Sequence, residues 1–489
     1  MLRPRRPAGQ AQVSPAGRIP RTGPAAQQRV LGPRRRIGSP GSRVHLEHAL
    51  SRIDHGRSAC AAIVRAGLVG LAIGAFQIGT AAAQTVPRTA QEPQERARTG
   101  PQRGQGVAER PRPEYDAIGV RLGGFFLYPS LGLAERYRDN IFYQDSDTTG
   151  DLVTILSPSL RLQSNWNVHS LTVYADADSG TYLDRSSENF LDMRAGAAGR
   201  LDIRRDLALS GEVSAARLHE PRSSPDQVGA AEPVTYRLLR AESTLAKRFN
   251  RLALRVTGGL DNYSYDNVPA TGGGTFDSKD RNRTVFEQGV QLGYQVSPAL
   301  EPFLRAGLNQ RRYERTPDDN GFDRNSWGWS TVGGLAFDLG GITSGEGYLG
   351  YFEQRYARAG FGPIAGVSAG GSLLWNPTEI TTVTFGADRI VEETTLSGAA
   401  GALRSALRAE VDHELRRNII LSANARYAVI DYEDITRVDN VAGASMGGSY
   451  LANEHLRLGV DYSYALRSSN AAGADYRTQT IMLRVTGQL

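Results

Sequence analysis

The chain has 489 residues, 40% of them apolar, and its 57 lysines and arginines against 51 aspartates and glutamates give a net charge of +6. The excess lies at the front, because residues 1–114 hold 19 basic and 6 acidic residues (+13) and the remaining 38 and 45 give −7. A basic charge confined to one end argues against a nucleic-acid partner for the chain as a whole. The single cysteine, Cys60, excludes an internal disulfide framework and a cysteine-based metal cluster.

The first 65 residues are rich in arginine, proline and glycine. They carry too little apolar surface to offset the entropy of an ordered chain, so we predict a disordered extension over residues 1–65. This basic region is far longer than a signal peptide carries, and no methionine follows Met1 before Met193. We therefore hypothesise that translation starts downstream of Met1, the alternative being an arginine-rich arm for nucleic acid or lipid headgroups.

An apolar run of small residues follows Arg65 and ends in Ala81-Ala82-Ala83-Gln84. A cationic flank, a short apolar segment and an A-x-A site are typical of a secretory signal, which predicts residues 66–83 as its apolar region and cleavage between Ala83 and Gln84. An anchor helix needs about 20 apolar residues, more than this run supplies. Residues 84–114, dense in Gln, Pro, Arg and Glu, are predicted to form a disordered periplasmic linker.

From about Phe125 onward the dominant pattern alternates with a period of two residues. Leu456, Leu458, Val460, Tyr462, Tyr464 and Leu466 form one face of a segment whose other face is Arg457, Gly459, Asp461, Ser463 and Ala465. Each such run extends over about ten residues, which is the length of a tilted strand that crosses a bilayer and exceeds the usual five or six residues of a soluble strand. The length of the runs therefore favours membrane strands.

Short and long connections alternate between these segments. Eight short turns and nine longer polar loops imply eighteen strands, with sixteen as the alternative because strand boundaries read from a sequence drift by about 2–4 residues. Short turns at one rim and long loops at the other are typical of a bacterial outer-membrane barrel. We therefore predict an all-β fold, a closed antiparallel transmembrane β-barrel of about 16–18 strands over residues 115–489, since an open sheet edge is too costly in lipid. The alternative is a soluble protein with long strands.

The segment from Phe126 to Asp184 carries the most distinctive motifs. They run Tyr137-Arg138-Asp139-Asn140-Ile141-Phe142, then Ser157-Pro158, then Ser164-Asn165-Trp166 and His169-Ser170-Leu171. This stretch resembles the β-barrel porin family of Gram-negative outer-membrane proteins. The resemblance implies a bacterial outer-membrane location and no catalytic residue, while some members accompany exopolysaccharide export systems. We interpret the motif positions Tyr137, Asp139, Asn140, Trp166 and His169 as residues that shape turns and girdles.

The sequence contains no catalytic motif, phosphate-binding loop or dinucleotide-binding fingerprint. His219 near Ser223, Ser224 and Asp226 allows a hydrolase at the rim as an alternative. Two acidic stretches, one from Asp145 to Asp151 and one from Asp318 to Asp323, allow a loose calcium site, but Leu156 stands where the first would need its bidentate glutamate. We predict no catalytic residue, no cofactor and no metal site, and we interpret both stretches as solvated loops.

The face that alternates with the apolar residues contains charges of both signs. We predict that it lines a pore, with these charged residues: Arg161, Arg255, Arg305, Arg408, Arg426, Arg457, Arg484, Asp176, Glu212, Glu287, Asp388, Glu410 and Asp461. Salt bridges without a selective role are the alternative. The aromatic residues Trp166, Trp327, Trp329, Trp375, Tyr294 and Tyr464 are predicted to form interfacial girdles.

These features predict a passive, porin-like channel for small hydrophilic solutes, since barrels of this size leave an aqueous lumen. The alternatives are a component for exopolysaccharide export or surface attachment, whose linker contacts a periplasmic partner, and an enzyme at the barrel rim. The expected partners are outer-membrane lipid and lipopolysaccharide, small hydrophilic solutes or polysaccharide, and the barrel-assembly machinery. The last segment alternates from Ile481 to Leu489, which predicts that this machinery binds the C-terminal strand, although a terminal leucine replaces the usual aromatic residue.

Overall fold

The computed structural model of the chain describes residues 105–357 and 360–489, and they form one antiparallel sheet closed into a barrel. A short strand β1 (Val120–Leu122) precedes the barrel. The eighteen barrel strands are β2 (Phe125–Arg138), β3 (Asp151–Ser164), β4 (Ser170–Tyr182), β5 (Phe190–Arg204), β6 (Leu207–His219), β7 (Thr235–Phe249), β8 (Leu252–Tyr265), β11 (Arg283–Tyr294), β12 (Leu300–Tyr313), β13 (Ser326–Leu339), β14 (Thr343–Tyr356), β15 (Ile364–Thr378), β16 (Thr381–Glu392), β17 (Ala402–Arg416), β18 (Ile419–Tyr432), β19 (Val438–Leu451), β20 (Leu456–Ser469) and β21 (Tyr476–Gln488). β9 (Val268–Pro269) and β10 (Thr275–Phe276) form a separate two-stranded sheet in the connection between β8 and β11. The prediction of an all-β barrel with eighteen strands is confirmed.

The barrel closes where its first strand meets its last. β2 pairs with β21 from Ser130 opposite Gln488 to Arg138 opposite Thr480. Below this ladder, β1 folds back on the start of β2 and pairs Val120 with Leu127, so it covers the part of the β2 edge that β21 does not reach. Every barrel strand thus has a neighbour on both sides, as a sheet in lipid requires.

Short turns and long loops alternate along the chain as predicted. We call the end that carries the eight short turns the turn rim and the end that carries the nine long connections the loop rim. The tightest turns need a left-handed backbone: Asn250 has φ 54° in the two-residue turn after β7, and Gly340 and Gly341 have φ 71° and 78° after β13. The long connections contain 3-10 turns at Ser186–Glu188, Pro225–Gln227 and Lys279–Arg281.

One predicted turn is displaced. The sequence places a short turn at Asn376-Pro377, but β15 continues to Thr378 and the turn lies at residues 379–380. The register of β15 against β16 shifts between Trp375 and Thr378, so the proline lies in a bulge. A bulge is one of the few places in a sheet where a residue without an N–H fits.

The two faces of the strands have different chemistry. Large apolar side chains such as Leu304, Leu349 and Leu407 are exposed on the outer face, as a surface in contact with lipid requires. Trp166, Trp327, Trp375 and Tyr294 are exposed on the same face near the strand ends, Trp329 packs beside Tyr351, and Tyr464 belongs to the same face of β20. Small buried apolar clusters lie beneath the long loops, for example Val234 with Tyr263 and Tyr265. In the described part of the chain no helix is long and apolar enough to cross a membrane.

The predicted segments at the front fall largely outside the described residues. These are the extension 1–65, the signal region 66–83 with its cleavage site at Ala83 and Gln84, and residues 84–104 of the linker. For residues 105–114 the prediction of a disordered linker is corrected, because they contact the barrel strands: Val107 is fully buried and Arg112 forms an ion pair with Glu414. The side chains of Val107 and Arg112 therefore pack against the barrel, whereas those of a disordered linker would be surrounded by solvent.

Candidate functional site

All thirteen predicted pore residues belong to the strand face that alternates with the exposed apolar residues. On β20, for example, Arg457 and Asp461 alternate with the exposed Leu458 and Val460. Period-two alternation places the two sets on opposite sides of the sheet, so the charged set faces the interior of the barrel. The structure brings some of these residues into direct contact and leaves others in rows of like charge.

One side of the barrel interior carries a row of carboxylates. The pairing register places Glu212 of β6 opposite Glu242 of β7, Glu242 opposite Gly259 of β8, and Gly259 opposite Glu287 of β11. Glu212 accepts a hydrogen bond from the Tyr174 hydroxyl at 2.5 Å. This row lies about midway between the rims, and it gives that wall a local negative charge.

The opposite side carries a pair of arginines. Arg408 of β17 lies directly opposite Arg426 of β18, and β18 is the ninth strand from β7 in a ring of eighteen. Glycines flank the pair, since Gly386 lies opposite Arg408 and Gly443 opposite Arg426. A Cβ at Gly443 would lie 2.9 Å from Arg426 Nε, so the missing side chain lets that guanidinium lie against the wall.

Other predicted pore residues form ion pairs. Arg305 donates to Gln291 at 2.8 Å and to Glu346 at 3.2 Å. Further contacts of this set are Arg194 with Asp176 (3.4 Å), Arg404 with Asp388 (2.8 Å), Arg484 with Asp461 (4.0 Å) and Arg457 with Asp116 (3.7 Å). The carboxylate Glu410 lies on the inner face of β17 with Asp412 and Glu414, and Arg161 and Arg255 lie on the inner faces of β3 and β8.

The connection between β6 and β7, residues 220–234, spans the barrel at the loop rim. We call it the crossing loop. Arg467 of β20 donates to the Ser223 carbonyl at 2.5 Å, and Thr394 Oγ1 and the Thr395 N–H, from the connection after β16, donate to Asp226 at 3.0 Å. β20 is six strands from β6 around the ring and β16 is seven from β7. The crossing loop therefore reaches side chains on distant parts of the wall and narrows the outer half of the barrel.

Buried arginines hold the crossing loop and its neighbours. Arg281 forms a two-nitrogen contact with Glu220 at 2.8 Å, and its guanidinium lies 4.2 Å from the ring centre of Tyr265. Arg324 binds Asp318 at 2.6 Å and donates to the carbonyls of Thr394 and Ala399. Such planar, multidentate contacts suit arginine and stabilise an irregular backbone that would otherwise leave carbonyls unpaired.

A second inward element lies at the turn rim. Residues 105–116, which we call the N-terminal segment, contact the inner faces of β16, β17 and β20. The Val107 N–H donates to Thr382 Oγ1 at 2.8 Å, Arg112 binds Glu414 at 2.8 Å, and Asp116 lies 3.7 Å from Arg457. Thus each half of the barrel holds an inward-folded segment.

The family-motif residues lie at the barrel seam and at the turns. Asp139 accepts from Thr478 Oγ1 at 3.1 Å and from the Gln479 N–H at 2.7 Å, which ties the first long connection to β21. Asn140 is buried and donates to the Gln144 and Arg477 carbonyls. The other three positions are Tyr137, exposed on the outer face, Trp166, edge-on to Phe125 at a short turn, and His169, whose Nδ1 accepts from the Asp202 N–H.

In the described part of the chain, the residues considered above for a rim hydrolase and for a calcium site make other contacts. His219 stacks on Phe190 and contacts Asp192 at 2.9 Å, while Ser224 donates its hydroxyl proton to Glu220. Within residues 105–357 and 360–489 no group of three or more His, Cys, Asp or Glu side chains is placed to hold a metal ion. Asp318 of the second acidic stretch accepts instead from Arg324 and from two backbone N–H groups.

Several interior residues were missed by sequence reasoning. Glu242, Arg240 and Asp261 lie on the inner face, and Arg240 binds Asp261 at 2.6 Å. Glu242 and Arg240 alternate with Leu239 and Leu245 in the sequence, and this pattern alone would have predicted that both face the interior. The crossing loop and the N-terminal segment carry no period that predicts inward folding.

The family model described as "Putative beta-barrel porin 2" matches residues 112–489. The chain belongs to this family. It is accordingly a protein of the bacterial outer membrane, in contact with membrane lipid.

Solved structures to which the chain is similar include three Pseudomonas proteins. OpdK of Pseudomonas aeruginosa, determined with vanillate, is 13% identical (74% of this chain, 98% of that chain, TM-score 0.40). OpdO of the same species is 18% identical (75% and 98%, TM-score 0.39), and a BenF-like porin of Pseudomonas fluorescens Pf-5 is 11% identical (74% and 99%, TM-score 0.41). No curated protein matches the chain.

Proposed function

We propose that this protein is a passive channel of the outer membrane for small hydrophilic solutes. The observation that carries the proposal is a closed eighteen-strand barrel with a charged interior, in a chain that belongs to a β-barrel porin family. Barrels of about 16–18 strands enclose an aqueous lumen, and charged groups are stable on the inner face only where water or a partner reaches them.

The thirteen predicted residues line this channel, and their arrangement would orient a solute. Carboxylates of Glu212, Glu242 and Glu287 stand on one wall, and Arg408 and Arg426 stand on the wall opposite. Charges of opposite sign on facing walls produce a field across the channel, which acts on dipolar and charged solutes. The crossing loop narrows the path at the loop rim, so the solute meets it before it reaches the field.

Ion conductance tests the proposal directly. The folded barrel, purified and inserted into a planar lipid bilayer, is expected to give stepwise conductance. A barrel that shows the heat-modifiable gel shift of a folded outer-membrane protein, yet conducts no ions, would contradict a channel function. Liposome swelling with uncharged sugars of increasing size would then measure the largest solute that passes.

Charge selectivity tests the roles of the two walls. The double variant Arg408→Gln/Arg426→Gln is expected to lower the chloride-to-potassium permeability ratio by about twofold or more, because it removes positive charge from the path of anions. Glu212→Gln/Glu287→Gln should shift the ratio in the opposite direction. The control Arg205→Gln/Arg251→Gln removes two exposed charges at the turn rim and should leave the ratio nearly unchanged.

No specific observation favours the two alternatives. A channel role, in contrast to an enzyme at the rim, agrees with the Ser224 hydroxyl donating to Glu220 and not to His219. An export partner for the linker and recognition of the strand Tyr476–Gln488 by the barrel-assembly machinery stay predictions. The alternation of Ile481, Leu483 and Val485 on the outer face of this strand supports the second of them.

A further inference from the structure

Two arginines lie side by side on the outer face of the barrel near the loop rim. Arg217 of β6 is paired directly with Arg237 of β7, and both side chains are exposed. They share the face of Val213 and Leu239, which are 56% and 48% exposed. Both arginines therefore point away from the lumen, towards the surroundings of the barrel.

The height of the pair places it at the edge of the membrane. On β7 the outer face runs from Leu239 to Phe249, a distance of ten residue steps, which at a rise of about 3.3 Å and a tilt of about 40° span about 25 Å. That span equals the height of the apolar band of an outer-membrane barrel, about 25 Å. Phe249, with Lys247 above its ring at 5.3 Å, marks the interface at the turn rim. Arg237 thus stands one step above the band, at the level of the headgroups of the outer leaflet.

The two arginines, Arg217 and Arg237, have fewer carboxylates nearby than their two positive charges would need for neutrality. Arg237 contacts Asp266 at 3.1 Å, whereas no carboxylate lies within 4.0 Å of Arg217 in the described part of the chain. Like charges directly opposite on neighbouring strands are destabilising, so this arrangement favours an anion that binds both guanidinium groups. Another arginine on the outer face has its charge neutralised by a carboxylate, since Arg355 lies 2.6 Å from Glu353 of the same strand.

We infer that Arg217 and Arg237 bind the phosphate of a phosphorylated lipid in the outer leaflet. Guanidinium groups match phosphate oxygens in two-nitrogen contacts, and phosphate is the anion that the leaflet presents at this depth. Met193 lies beside Arg217 on the next strand, and Val213 and Leu239 lie below the pair, so the three offer exposed apolar surface for the acyl chains. The lipid lies upright along β5 to β7, with its phosphate between the two strands.

Native mass spectrometry tests this site with bisphosphorylated lipid A as the probe. The full-length barrel in detergent, titrated with lipid A, is expected to retain one lipid per chain. Arg217→Gln/Arg237→Gln should weaken this retention at least tenfold, while Arg205→Gln/Arg251→Gln should retain lipid A as the unchanged protein does. The gel shift and the conductance of both variants should match the unchanged barrel, because neither pair lines the lumen.

The other outcomes overturn the inference. Equal retention by the Arg217→Gln/Arg237→Gln variant would place lipid A elsewhere. Inorganic phosphate that displaces lipid A at low millimolar concentration would show a free-anion site, and dephosphorylated lipid A retained as well as lipid A would show that phosphate is not recognised. A barrel that binds no lipid A, but whose dimers are lost in the variant, would show that a second copy occupies the pair.

Discussion

Arginine supplies 55 of the 57 basic residues in this protein, since Lys247 and Lys279 are the only lysines, and its planar guanidinium is used in two ways. Arg281 and Arg324 are buried and fasten loops through several hydrogen bonds each. Arg408 is exposed on the inner wall, where a charge acts on whatever passes. Both uses follow from a group that stays charged and presents a rigid fork of donors.

A buried loop carboxyl gives a prediction about pH. Asp280 is 7% exposed, and burial, with the charge of Asp319 next in effect, raises its pKa to about 6 despite the opposing charge of Arg281. The unfolded value is about 3.9, so ionisation penalises the folded loop fully above pH 6, and the penalty is relieved as the pH falls from about 6 to about 4. Other acidic groups that face it are Asp277 and Asp318.

We therefore expect Asp280→Asn to raise the thermal midpoint of the barrel at pH 7.5 and to reduce the gain in midpoint that the unchanged protein shows at pH 5. The midpoint is read from the heat-modifiable gel shift at both pH values. Asp145→Asn, in an exposed stretch of another loop, is the matched control. A variant whose midpoint changes with pH as the unchanged barrel does would show that Asp280 is not the group responsible.

At the scale of elements, two inward-folded segments modify a regular wall. The crossing loop is held from several sides, through Glu220, Ser223 and Asp226, so losing one contact leaves the others in place. The buried charged contact of the N-terminal segment is that of Arg112, whose side chain is 4% exposed and binds Glu414 and the Val107 carbonyl. Breaking a buried ion pair on one side leaves an uncompensated charge, at a cost of about 3–5 kcal/mol in a dry interior and less beside water.

Arg112→Ala is accordingly expected to detach residues 105–116 from the turn rim. Proteinase K should then cut this segment faster, and conductance should rise, because the segment no longer occupies space inside the barrel. Arg121→Ala, at an exposed position, is the control and should change neither readout. If the charge-swapped variant Arg112→Glu/Glu414→Arg restores the slow cleavage, the ion pair itself holds residues 105–116 against the barrel. Unchanged cleavage in Arg112→Ala would contradict this role.

At the scale of the whole molecule, stability depends on closing the ring. The seam between β2 and β21 joins residues more than 300 positions apart, so the chain gains it only when the strands between are in place. Asp139 and Asn140 add side-chain hydrogen bonds across this seam. Two of the motif residues, Asp139 and Asn140, therefore help to hold the barrel closed.

Asn140→Ala should lower the stability of the folded barrel by roughly 1–3 kcal/mol, because it removes three hydrogen bonds and leaves the Arg477 carbonyl without its side-chain donor. The midpoint of urea unfolding, followed by tryptophan fluorescence, measures the loss. Asn165→Ala at an exposed short turn is the control. Equal midpoints for the two variants would refute the closure role.

The sequence by itself determined the architecture, because one physical rule acts at every strand. A sheet with lipid on one side and water on the other must alternate apolar and polar residues, and the runs from Leu456 to Leu466 and from Ile481 to Leu489 show this without reference to any other part of the chain. The eighteen strands and the family resemblance at Tyr137 to His169 followed from such local patterns, and both are confirmed. The pore-lining set stays a prediction.

Only the tertiary structure decided which charges meet. Glu212, Glu242 and Glu287 form one row because the register of four strands aligns them, and register depends on turn lengths summed around the ring. Arg112 and Glu414 are 302 positions apart, and Arg467 and Ser223 are 244 apart. No local period encodes such contacts, because an irregular segment folds inward only where a closed wall already presents its partners.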